Sequence, residues 1–235
     1  MVVQETIFIV VFYLANRLLV KQKVSVKPSV TFGRLAILAI PIIFFGVIIA
    51  ADLLSGNAVN LPLALSAGIA ADLLSGNAVN LPLALSAGIG AGLFEEYLFR
   101  GVIMGLLLKV FGRFSKGRQI WYAILVSSLL FGIAHGINAT AQPLMYTLEQ
   151  MASAGLSAPL YAAVYLRSGT IIMPMLFHGI WDFGTSLSTA NVVVTANMSG
   201  QDFLIEIGTD LITLVIALYY LRSKKLKLID TKRFE

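Results

Sequence analysis

The sequence predicts an all-α membrane protein, a polytopic bundle of about seven transmembrane helices, and three observations carry that prediction. Composition is the first: of 235 residues, 58% are hydrophobic and only 12% charged, with a mean hydropathy of +0.86. Soluble domains carry roughly twice that share of charge. Second, Lys and Arg are absent from 35 to 99, from 119 to 166 and from 168 to 221. Third, the basic residues cluster between the apolar runs, at 17–34, 109–118, Arg167 and Arg222 to Arg233. The pI of about 9.5 therefore reads as juxtamembrane charge rather than a nucleic-acid footprint. With no cysteine in the chain, disulfides and cysteine-bound metals are excluded.

A bilayer core of roughly 30 Å needs about 20 mostly apolar helical residues, and backbone in lipid must bond to itself. Seven stretches qualify, and the chain reads as one integral-membrane domain spanning 1–235. The first, 3–20, is followed rather than preceded by basic residues, which suits a retained helix better than a cleaved signal. Its near-immediate start leaves room for a longer natural N-terminus. The second is 34–54. Residues 50–69 and 70–89 are then the same string, AADLLSGNAVNLPLALSAGI, twice over. Interrupted by Ser-Gly-Asn and Pro, each copy is a poor span, so the duplication reads as a short re-entrant or external segment without catalytic importance. Asp52 and Asp72 are its helix-end or loop carboxylates. The remaining spans are 80–108, 119–137, 143–166, 170–189 and 204–222. Seven spans put every basic cluster on one side, and the positive-inside rule makes that side, and the C-terminus, cytoplasmic.

A charge at the bilayer centre costs at least about 2.5–3.5 kcal/mol, so ionisable residues there need partners and mark function. Three spans carry them. The third holds Glu95, Glu96 and Arg100 in FEEYLFRG, the fourth ends in FGIAHG with His135, and the sixth reads MLFHGIWDF with His178 and Asp182. These are the only two histidines in the protein. Glu96 and Arg100 are four apart and can pair on one helix face. Glu95, about 100° further round, is left without that partner and is the candidate general base. His178 and Asp182 share a face, and His135 can converge from the neighbouring span. Simpler readings compete: a structural Glu96–Arg100 salt bridge, a His135 satisfied by a backbone carbonyl, an interhelical His178–Asp182 clamp. Glu149 is a secondary polar contact, Asp202, Glu206 and Asp210 approach or enter the last span, and Trp121 and Trp181 read as packing or interfacial anchors.

These residues resemble the CAAX proteases and bacteriocin-processing enzymes, the Abi-type relatives of the prenyl-protein endopeptidase. Glu95 to Arg100 looks like the family's EExxxR motif, Phe131 to His135 like FxxxH, and His178 to Asp182 like Hxxx(N/D), within a core of about 80–190. The resemblance implies an intramembrane endopeptidase acting on a membrane-associated, prenylated or leader-bearing, substrate. By position, Glu95 would activate water with His135 assisting, His178 and Asp182 would stabilise the oxyanion, and Glu96 with Arg100 would hold the motif helix. Asp182 departs from the usual Asn: an ionised Asp cannot donate, so it would either be protonated or orient His178. No cofactor is expected; a zinc version would use Glu95, His135 and His178, although HExxH is absent. Small size and short loops suit a multi-pass protein of a prokaryotic cell membrane. A non-catalytic transporter, scaffold or bacteriocin-immunity protein could use the same polar cluster for binding.

Overall fold

The computed structural model describes residues 2–43, 47, 81–189 and 200–234, and among these every regular element is a helix. Helix α1 (Val2–Ala15) widens into π turns over Asn16–Val20, and α2 is Phe32–Leu38. Helix α3 (Leu81–Ile89) runs into wide π turns, Gly90–Glu95 and Tyr97–Ile103, and leaves as α4 (Met104–Val110). Then come α5 (Lys116–Ala134) with a 3₁₀ extension His135–Thr140, α6 (Leu144–Ser168), α7 (Ile172–Thr189), α8 (Gly200–Tyr220) and the short α9 (Ser223–Leu226).

The expected third to seventh spans coincide with this series to within a few residues. Residues 44–54 of the second span, apart from Val47, and residues 50–80 of the duplication lie outside the described residues. The tail of the second copy, which the expected third span took in from residue 80, forms α3, continuous with the helix that carries the glutamates.

Among the described residues one helix is both long and apolar enough to cross a bilayer, Lys116–Thr140, with a mean hydropathy of 1.8. Helices α6 and α8 have the length but carry Glu149, Gln150 and Arg167, or Asp202, Glu206 and Asp210. The solvent pattern is nonetheless inverted. Glu96, Arg100, His178 and Asp210 are buried, while Leu125, Leu129 and Ile133 on α5 and Ile172 and Leu176 on α7 are exposed at four-residue spacing. Water selects the opposite arrangement; hydrocarbon leaves apolar stripes outside and demands that charge be enclosed.

Two glycine seams set the helix crossings. A Cβ on Gly88 would lie 2.6 Å from the Gly179 carbonyl oxygen, and one on Gly92 2.5 Å from that of Met175. Gly88 and Gly92 have the small-xxx-small spacing by which membrane helices approach closely. The same happens between α5 and α6, where Gly132 faces the Met151 carbonyl. At one end of the bundle, loop 21–31 is sewn to both later segments. Gln22 Nε2 donates to the Phe234 carbonyl at 2.6 Å, Ile171 N to Ser25 O at 2.8 Å, Arg233 Nε to Ser25 Oγ at 2.8 Å, and Thr170 Oγ1 to Val26 O.

Candidate functional site

The site begins with the α3/α7 seam, because that crossing brings the glutamates of one helix against the histidine of the other. Asn16 fixes the glutamate helix from the far side: its side chain pairs with the Gln22 backbone and donates to the Tyr97 hydroxyl at 2.7 Å. Wide turns through Gly90–Ile103 are a rare geometry that recurs at functional sites.

Glu96 sits at the centre. Its Oε1 lies 2.9 Å from Arg100 Nη1 and 2.9 Å from His178 Nδ1, and the side chain is fully enclosed. The Arg100 contact is an ion pair by distance whose angle falls short of a hydrogen bond, since Nη1 has no aligned acceptor. Its other amine, Nη2, reaches the Ala158 carbonyl at 3.5 Å. The guanidinium carbon lies 4.2 Å from the Phe131 ring centre and 5.1 Å from that of Tyr161, so two aromatics flank the cation.

Arg100 pairs with Glu96 and not with Glu95. The His178 ring spans the gap between the two glutamates. Nδ1 faces Glu96, while Nε2 faces Glu95 Oε2 at 3.8 Å and Asp182 Oδ1 at 3.5 Å. The ion pair expected between Glu96 and Arg100 is present, but it also anchors His178 rather than only bracing its own helix. Glu95 is partly open, 29% exposed, and its Oε2 has no hydrogen-bond partner.

His135 reaches the site through an aromatic wall. Its Nδ1 bonds the Phe131 carbonyl at 2.9 Å, the backbone contact weighed above as the simpler reading. A carbonyl only accepts, so the proton is on Nδ1 and Nε2 is left as an acceptor. The Phe131 ring touches the edges of both imidazoles, with centres 4.8 Å from His135 and 5.7 Å from His178. Tyr161 stacks on His178 at 4.7 Å and 22°. Sequence reasoning assigned no role to Phe131 beyond its motif letter and missed Tyr161 altogether. The Gly88/Gly92 spacing was a readable signal; nothing local marks Tyr161.

Among the described residues no three His, Cys, Asp or Glu side chains form a set that could hold a metal ion. His178 has Nδ1 bound to Glu96, which leaves its Nε2 as the ring nitrogen that faces Glu95 and Asp182.

Carboxylates and a histidine enclosed by helices with an apolar exterior define a membrane-embedded protein with a buried acid–base site. Residues 77–184, a little under half of the chain, match the family model described as Type II CAAX prenyl endopeptidase Rce1-like. The match runs from just before α3 through most of α7 and includes Glu95, Glu96, Arg100, His135, His178 and Asp182. No curated protein and no solved structure matches the chain.

Proposed function

We propose that this protein is an intramembrane endopeptidase that cleaves a membrane-associated peptide or protein without a metal, with Glu95 activating water. One observation carries the reading: Glu96 holds His178 by Nδ1, so that Nε2 is turned toward an unpartnered Glu95 oxygen.

Water donating to Glu95 Oε2 gives up a proton to that carboxylate as its oxygen attacks the scissile carbonyl. His135 Nε2, an acceptor, orients the same water. The tetrahedral oxyanion takes a hydrogen bond from His178 Nε2–H, a term worth about 3–4 kcal/mol in acyl transfer. Collapse breaks the C–N bond, and Glu95 returns its proton to the leaving amine. With Nδ1 spent on Glu96, His178 can donate to the oxyanion only when Nε2 is also protonated. In this reading Asp182, 3.5 Å from that nitrogen, orients the ring and is not an oxyanion donor. Seven spans with the basic end and the C-terminus in the cytoplasm complete the proposal, supported by the loop-to-tail contacts that gather the basic clusters at one end.

The test is cleavage of a quenched fluorescent peptide library, prenylated members included, by detergent-purified protein, compared with Glu95→Gln and repeated with a chelator. Cleavage lost in Glu95→Gln and indifferent to chelator is the expected result. Chelator-sensitive cleavage would replace this chemistry with a metal-assisted one, and cleavage surviving in Glu95→Gln would remove Glu95 from the role.

A further inference from the structure

A second polar site lies behind the first, in a part of the molecule the catalytic reading does not use. Between α6, α7 and α8 is a cavity of about 40 Å³ whose polar side is Ser153, Ser157, Tyr161, Thr209, Asp210 and Thr213 and whose apolar side is Leu160, Phe177 and Trp181. A water needs about 10–15 Å³ of such space, so a small ion with a ligand water fits. Asp210 is 4% exposed, and its Oδ2 has no hydrogen-bond partner.

Three of the lining hydroxyls have already committed their protons. Thr213 Oγ1 donates to the Asp210 carbonyl at 2.8 Å, Ser157 Oγ to the Ala154 carbonyl at 3.3 Å, and Ser153 hydrogen-bonds the Asp210 carboxylate. Lone pairs therefore remain to face the cavity. Glu206, one turn earlier on α8, adds a second negative charge that acts on Asp210. The ion pairs that join Glu95, Glu96, Arg100, His178 and Asp182 do not reach Asp210. A buried carboxylate among acceptors and without a basic side chain needs a positive charge from elsewhere. Hydroxyl and carboxylate oxygens are hard ligands that suit a hard cation and repel an anion.

We infer that this cavity is a binding site for a monovalent cation of sodium's size, with Asp210 supplying the charge and Ser153, Ser157 and Thr213 supplying oxygens. Binding neutralises the carboxylate within the helix bundle and ties α8 to α6. Tyr161 is common to both sites: one face stacks on His178, and the residue also lines this cavity.

The experiment follows the thermal unfolding of the purified full chain in detergent, by intrinsic fluorescence, as sodium chloride replaces choline chloride at constant ionic strength. Sodium should raise Tm saturably, by roughly 5–10 °C once its concentration is about 100 times Kd. Asp210→Asn should abolish the dependence, and Thr213→Val, which keeps the charge, should move the half-point to at least several-fold more sodium. A wild-type Tm equal in the two salts would overturn the site, leaving a protonated carboxyl or water alone in the cavity. So would an unchanged sodium response in Asp210→Asn, and if that variant does not fold, an unchanged half-point in Thr213→Val decides the same question.

Discussion

Gly92→Ala isolates the helix crossing on which the site depends. The added Cβ would stand 2.5 Å from the Met175 carbonyl oxygen and 3.2 Å from Gly179 Cα, where ordinary contact begins at 3.4 Å. Backbone cannot swing aside like a side chain, so the glutamate helix and α7 must part by about 0.9 Å, the difference between 2.5 and 3.4 Å. That displacement stretches the 2.9 Å His178–Glu96 contact to nearly 4 Å, beyond a hydrogen bond. Overpacking of this kind costs about 1–3 kcal/mol, or roughly 2–12 °C in Tm. A 1 Å misplacement at a catalytic group can cost about 10²-fold in rate. Gly155→Ala is the control: its Cβ meets nothing closer than 3.7 Å, and a helical Gly→Ala change without a clash gains up to about 1 kcal/mol. The two alanines should therefore move Tm in opposite directions, with peptide cleavage lost only in Gly92→Ala. A Gly92→Ala protein as stable and as active as wild type would refute the seam as the device that positions the site.

Glu95→Gln and Glu96→Gln should separate chemistry from structure: the first loses cleavage with Tm nearly unchanged. The second leaves Arg100 buried without its counter-ion, a loss of about 3–5 kcal/mol visible in thermal unfolding. Arg100→Lys should also lower Tm, because a lysine cannot lie flat between Phe131 and Tyr161; an unchanged Tm would mean that charge alone matters there. Asp182→Asn should keep at least part of the cleavage rate, since an amide can still contact His178 Nε2, whereas Asp182→Ala should lose more; equal losses would argue against a role in orienting the ring. Gly169→Ala should destabilise by at least about 1–2 kcal/mol, since φ is +73° and the new Cβ would collide with Ser29, and an unaltered Tm would contradict that turn.

Hydropathy located the helices because burial in lipid is written along the chain, and i,i+4 spacing correctly joined Glu96 to Arg100. Spacing within one helix says which face a residue occupies, but not which helix will meet that face. The Glu96–His178 bond joins residues 82 apart, and Tyr161 stacks on His178 from a third helix. Both are products of packing, so neither has a local signal. Wide turns are also invisible to hydropathy, which assumes 3.6 residues per turn. The tail of the duplication was legible as part of the third span, whose expected start at residue 80 takes in Gly88, a residue whose missing side chain is needed at the crossing.

The bond from Gln22 to the Phe234 carbonyl joins positions 212 residues apart. At about 5–20 residues per second of synthesis, loop 21–31 waits roughly 10–40 s after it is made before that acceptor exists. Arg233, which ties down Ser25 and the Lys27 carbonyl, arrives equally late. Loop 21–31 is thus fastened in two stages, first to Thr170 and Ile171 and only later to the tail. A chain that stops after α8 would have its helices made but this loop held on one side alone, a half-closed end by which a cell could recognise it.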